Sequence, residues 1–302
     1  MEPIKAVTPP NSLVWRIIHF PLVLLIIGMV MVIGAEVCVL WLAHFVPHAP
    51  GGLFGVVTAM GGAAAAVAAY VIFVRFVERR PGVAEFGLSG WWKELGAGLI
   101  SGFLLFSVVV GVIAAFGDYQ VIGRHPVSIL APIFAISIIS GVGEEIVARA
   151  LIFRILESSL GTWIALIFSA ALFGAGHLGN QHSGLLPAAA IALEAGIMLA
   201  ALYMLTRRLW AAIGLHAAWN FTQGGVYGIA VSGGAAQGIL VPRITGSDLV
   251  TGGAFGAEAS LPAVIICTTF GIALLVAVSR RDGFVKPFWA RGKAGGPADL
   301  KG

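Results

Sequence analysis

The chain has 302 residues, of which 59% are hydrophobic and only 11% charged, with a formal net charge of +4 and a mean hydropathy of +0.97. A soluble domain carries about 25% charged residues, so this composition excludes a water-covered globular domain and makes lipid the solvent for most of the chain. The basic residues flank apolar stretches and lack the interleaved aromatics of a nucleic-acid surface, so no nucleic-acid partner is expected.

In lipid every backbone polar group must be satisfied internally, so the apolar stretches read as helices. The short alternating strands of a membrane barrel are absent. In chain order the expected spans are 19–44, 53–76, 95–116, 129–157, 161–177, 188–205, 209–223 and 258–279. The first apolar run is too long for a signal-peptide core and has no obvious cleavage site, so it counts as a retained span. Gly141 and Gly143 predict a bend or break within the fourth. The fifth and seventh are short for a crossing of about 20 residues and read as buried helices that do not cross fully. The fold class expected is all-α and polytopic, with about eight transmembrane helices around a buried polar cavity, as one membrane domain over 1–302.

Charge placement orients the chain. Arg75, Arg79, Arg80 and Lys93 share one connection, Arg207 and Arg208 another, and the tail 280–302 is basic. An even number of spans with both termini cytoplasmic puts all three clusters inside, as in a bacterial inner membrane. The glycine-rich connection 224–257 then lies outside, as a lid or a polar connector. Trp91 and Trp92 suit an interface, and Phe284, Lys286, Trp289 and Arg291 suit a tail resting on anionic membrane lipid. Cys38 and Cys267 each lie in an apolar stretch, which argues against a disulfide framework or a zinc knuckle.

Ionisable groups inside a membrane are expensive and mark partners or pathways. "GEEIVARA" places Glu145 and Arg149 four residues apart on one helix face, where the arginine neutralises the glutamate. Glu144 points about 100° away, free to face a cavity and take a proton from water. "FGAGHLGN" contributes Phe173, His177 and Asn180, and "GLHAAWNF" contributes His216 and Asn220, again one turn apart. Each segment alone is compatible with a salt bridge, a core histidine or interhelical polar glue. If they converge, Glu144 and His177 polarise a water while His216 and Asn220 stabilise an oxyanion. The same convergence would let Glu144, His177 and His216 hold a divalent metal such as Zn2+. There is no HExxH motif, no GxSxG serine and no Cys–His pair, so hydrolysis by an activated water fits these residues best.

With these three motifs in order, the chain resembles the CPBP family (CAAX protease and bacteriocin-processing, or "Abi", intramembrane proteases), which includes the type II CAAX prenyl endopeptidases. EExxxR is matched by Glu144, Glu145 and Arg149, FxxxH by Phe173 and His177, and the final His with Asn four residues on by His216 and Asn220. The resemblance implies a catalytic core over about 125–225. It also implies water activation by Glu144 with His177, oxyanion stabilisation by His216 and Asn220, and support from Glu145 and Arg149. The implied substrate is a hydrophobic or prenylated peptide or protein. Both a zinc-dependent and a metal-free glutamate mechanism are described for the family, and both stay open here. One departure is "VARA" around Arg149, where the family often has an aromatic and then a glycine.

Glu194 is a weaker candidate for the pocket, Glu36 reads as local packing or a neutral acid, and His182 reads as a loop residue. Two other classes compete with the enzyme. One is a non-proteolytic regulator or bacteriocin-immunity protein on the same scaffold. The other is a proton-coupled transporter, for which inverted hydropathy halves are not evident. Oligomeric state is not legible in the sequence.

Overall fold

The computed structural model describes residues 12–47 and 52–291; the end of the basic tail, 292–302, lies outside the described residues. The described chain is helical almost throughout, and it is an integral membrane protein. After the short α1 (Leu13–Ile18) come α2 (Pro21–Ala43), α3 (Leu53–Ile72, prolonged by a π-helical turn to Val77) and α4 (Trp91–Ala115). A long helical run follows, made of α5 (Ala131–Glu145), a π-helical segment Ile146–Phe153 and α6 (Arg154–Leu160). Then come α7 (Thr162–Gly176), α8 (Leu185–Ile191), a π turn Ala192–Gly196 and α9 (Ile197–Thr206). The last helices are α10 (Trp210–Asn220, prolonged by a π turn to Val226), α11 (Asp248–Thr251) and α12 (Leu261–Arg281).

Among the described residues, seven helices are long and apolar enough to cross a membrane. The seventh expected span, 209–223, is the exception, whereas the fifth, expected to fall short, forms the helical run Thr162–Gly179 and is long enough. Its helix, 210–226, reaches about 25 Å and is enclosed by α4, α5 and α9. Small residues let it sit that deep. A Cβ at Gly98 or Gly102 would strike the backbone of α10, and one at Gly141 would lie 2.9 Å from the Ala217 Cβ. Gly141 and Gly143 therefore do not break the fourth span. The helix runs through both, and they serve close approach instead. The widening to π geometry comes one turn later, at Ile146. The outward faces carry Ile26, Val30, Phe103 and Ile167, all exposed, as lipid-facing surfaces require.

The helices alternate in direction, so the bundle has two distinct ends. One is basic. There Arg154 donates to both carboxylate oxygens of Glu78 at 2.9 Å, Arg80 pairs with Glu85 at 2.9 Å, Arg207 pairs with Glu157, and Arg208 pairs with Glu94. Both ends of the described residues reach this face. The Arg79 guanidinium lies 4.8 Å from the Trp15 ring of α1, and the Thr162 N–H donates to the Val285 carbonyl beyond α12 at 3.0 Å. The opposite end carries the loop 177–184 and an antiparallel ladder of β1 (Tyr119–Arg124) with β2 (Leu240–Ile244), in register from Tyr119↔Ile244 to Arg124↔Leu240. This ladder is a correction to a sequence reading that assigned no strands. The two short segments are 116 residues apart in the chain even at the pair Arg124↔Leu240, so their pairing leaves no local signal.

Candidate active site

Three elements meet at the centre of the bundle. α5 ends on Glu144 and Glu145, α7 ends at His177, and α10 presents His216 and Asn220 along one face. Among the described residues, three of the four π-helical segments adjoin this region, at Ile146–Phe153, Ala192–Gly196 and Phe221–Val226. Such widened turns often occur at functional sites, because the extra residue rotates the faces on either side.

Glu145 and Arg149 are fully enclosed. The arginine donates to Glu145 Oε1 at 2.9 Å and to the Ala195 carbonyl at 2.9 Å, and its guanidinium lies 4.4 Å from the Phe173 ring centre. Glu145 Oε1 also contacts His216 Nδ1 at 2.9 Å. A carboxylate can only accept there, so Nδ1 carries the proton and Nε2 is turned to the other side. His177 is set in the same way. Its Nδ1 lies 2.8 Å from the Phe173 carbonyl, whose position in the last turn of α7 leaves it free to accept. Phe173 therefore steadies His177 through its backbone and packs its ring on Arg149. The FxxxH spacing follows from both contacts.

Glu144 lies opposite these two imidazoles. Its Oε2 is 4.0 Å from His177 Nε2 and 3.9 Å from His216 Nε2, and it is buried with no hydrogen-bond partner. Buried polar atoms are rarely left so. The separations suit a bridging water, which sits about 2.8 Å from each partner. They are wider than the ligand–ligand spacing of about 3.4 Å that Zn–N and Zn–O bonds of about 2.1 Å give in a tetrahedron. Among the described residues no group of three His, Cys, Asp or Glu has the arrangement of a metal site. Glu144, His177 and His216 as they stand thus do not fit the zinc set expected from the sequence.

Two cavities adjoin the cluster. The smaller, about 20 Å3, touches His177, His216, Asn220, Glu194, Ser232 and Glu258 and has room for about one water. Asn220 donates to Ser140 Oγ at 2.9 Å, leaving its second amide N–H unspent. The larger, about 340 Å3, lies between α2 and α7 over the floor of α5. It is lined by Ile33, Val37, Ile152 and Leu172 together with Glu144 and His177. Asn180 stands at its rim, in the exposed loop after α7. His182 is exposed in that loop and lines neither cavity.

Three acids change standing. Glu36, read from the sequence as local packing or a neutral acid, lines the large cavity with Glu144, and its carboxylate lies against Gly143, where a Cβ would collide with it. The signal was its presence in a span, which by itself marks a functional candidate. Glu194 lines the small cavity, with Oε2 unpartnered. Glu258 was missed. It is 2% exposed, accepts the Ser232 N–H, and burial pushes its carboxyl up to about 7 against that hydrogen bond. In the sequence it is the first residue of the expected span 258–279, whereas the helix itself starts at Leu261. Only the inward fold of the connection 227–260 brings it to the site, so that connection takes part in the cavity wall.

Residues 126–222 match the family model Rce1-like, described as Type II CAAX prenyl endopeptidase Rce1-like. All three motifs fall inside the match, which agrees with the family resemblance and suggests a CAAX-type intramembrane protease. No curated protein and no solved structure matches the chain.

Proposed function

We propose that the chain is an intramembrane endopeptidase that hydrolyses a peptide bond in a lipidated or otherwise hydrophobic substrate, with a water activated by Glu144. The observation that carries this reading is the unpartnered Glu144 Oε2 facing two imidazole Nε2 atoms across a water-sized gap. Glu144 accepts a proton from the water as its oxygen attacks the scissile carbonyl carbon. His177 holds the same water. The tetrahedral oxyanion receives the free N–H of Asn220 and an Nε2–H of protonated His216, whose positive charge the Glu145 carboxylate stabilises. Collapse breaks the C–N bond, and the proton on Glu144 passes to the leaving amine. Arg149 holds Glu145 in place through its hydrogen bond.

The apolar lining of the larger cavity supports a hydrophobic group beside the scissile bond. The working unit is one membrane domain with its core over about 125–225. Both termini lie in the cytoplasm of a bacterial cell, because the basic end carries nearly all the lysine and arginine. The test is purified protein with a panel of prenylated and plain apolar peptides, with and without chelator, read by mass spectrometry. Cleavage that survives chelator and disappears in Glu144→Gln is expected. Cleavage abolished by chelator and restored by zinc would replace this mechanism with a metal-dependent one. Cleavage untouched by Glu144→Gln would remove the role of Glu144.

A further inference from the structure

The site opens toward the end of the bundle opposite the arginines. α7 starts at the basic end, beside Val285, and His177 stands where it finishes at the other. The cavity holding Glu144 runs from Ile152 to Asn180, which is exposed in the loop 177–184. Gly233, in the connection that carries β2, packs on the Gln181 backbone of the same loop. Toward the basic end the way is shut. Below Ile152, Leu151, Phe153, Tyr70 and Phe73 are fully buried, and the Arg154–Glu78 pair lies beneath them. Arg75, Arg79, Arg80, Lys93, Arg207 and Arg208 all lie at the shut end. Among the described residues the open end has only Arg124 and Arg243, one on each strand of the ladder. The lysine and arginine bias of short loops sets orientation, whereas acids contribute little, so the carboxylates paired at the basic end do not cancel it.

We infer that the catalytic cavity is served from the non-cytoplasmic side. Its substrate is then an exported polypeptide held by an apolar or lipid anchor in the outer leaflet, with the scissile bond at the water face there. α2 and α7 flank the cavity without a packed interface between them, so the anchor reaches it sideways from the bilayer while the peptide enters past Asn180. A cytosolic prenylated C-terminus is on the wrong side. The inference rests on the hydrolytic reading for its substrate, but not for its geometry.

Single cysteines test the geometry without any activity. In a Cys38→Ala background, with Cys267 buried, the exposed positions Gln181→Cys and Thr245→Cys mark the open end and Ser89→Cys marks the basic end. In intact cells a membrane-impermeant maleimide is expected to label the first two and to reach Ser89→Cys only after permeabilisation. The reverse pattern overturns the inference and leaves the peptidase reading intact. A second arm presents prenylated peptides and plain peptides with an apolar segment, each bearing an impermeant charged tag, to sealed right-side-out and sealed inverted vesicles. Cleavage by the right-side-out vesicles, absent in Glu144→Gln, is expected, and which peptide is cut tells a lipid anchor from an apolar segment. Cleavage confined to inverted vesicles overturns the inference. Labelling as expected with no peptide cut even in detergent counts against the peptidase reading and upholds the orientation.

Discussion

The two groups of charge in this bundle are built to opposite rules. At the basic end, Arg154 with Glu78, Arg80 with Glu85, and Glu157 with Arg207 and Thr162 are all joined at hydrogen-bonding distance. At the centre, Glu145, Arg149 and His216 are joined as tightly, yet Glu144 stops about an ångström short of both imidazoles. A closed pair spends its hydrogen bonds on holding helices together. A pair held one water apart keeps its polarity for something that arrives. Adjacent glutamates therefore do different work, since one carboxylate faces two fixed donors and its neighbour faces a gap.

That contrast can be broken by substitution. Glu144→Gln should lower cleavage by about 10²–10⁴-fold, the usual worth of a general base, while thermal unfolding in detergent stays unchanged. A large fall in stability would make Glu144 a structural residue like its neighbour. Arg149→Met leaves Glu145 buried without its cation and should cost about 3–5 kcal/mol, read as a lowered unfolding midpoint and lost activity together. Arg154→Met, at the basic end, should cost about 1.5–3 kcal/mol through its charge-assisted hydrogen bonds, with kcat of the folded fraction unchanged. A kcat that falls with it would show that the two groups are coupled.

The smallest effect belongs to Glu258, which closes the wall between the connection and the site. Burial raises its carboxyl to about 7, against 4.5 for an unperturbed one. Its contribution is therefore present in full below about 4.5, where both states are protonated, and is lost as pH rises through about 7 and the folded chain must bury a carboxylate. The midpoint of unfolding should fall between about pH 4.5 and pH 7 and level off above that, and Glu258→Gln should flatten that slope. An equal slope in the variant would assign the dependence to other groups.

Much of this was legible in advance because lipid is a strict solvent. Long apolar runs have one economical conformation, so the spans were close to their final limits, and the i to i+4 spacing of Glu145 with Arg149 already placed them on one face. Other features were not local. Gly141 and Gly143 read as a weak point in a helix, but their use is set by Ala217 and by the Glu36 carboxylate, on two different helices. The β1–β2 ladder pairs segments far apart in the chain, and neither alternates strongly enough to declare itself. Glu36 and Glu258 are single acids whose importance depends on which cavity they reach.

Composition and periodicity alone determined that the chain dissolves in lipid, that it does so as helices, and which few polar residues had to be explained. Those are consequences of transfer free energy and helix geometry, which act residue by residue. The tertiary structure alone decided that two imidazoles turn the same ring nitrogen toward one unpartnered oxygen. It also decided that their gap suits a water, and that an apolar cavity lies beside Glu144 and His177. Distances between helices depend on how small residues let backbones approach, and no single segment contains that information.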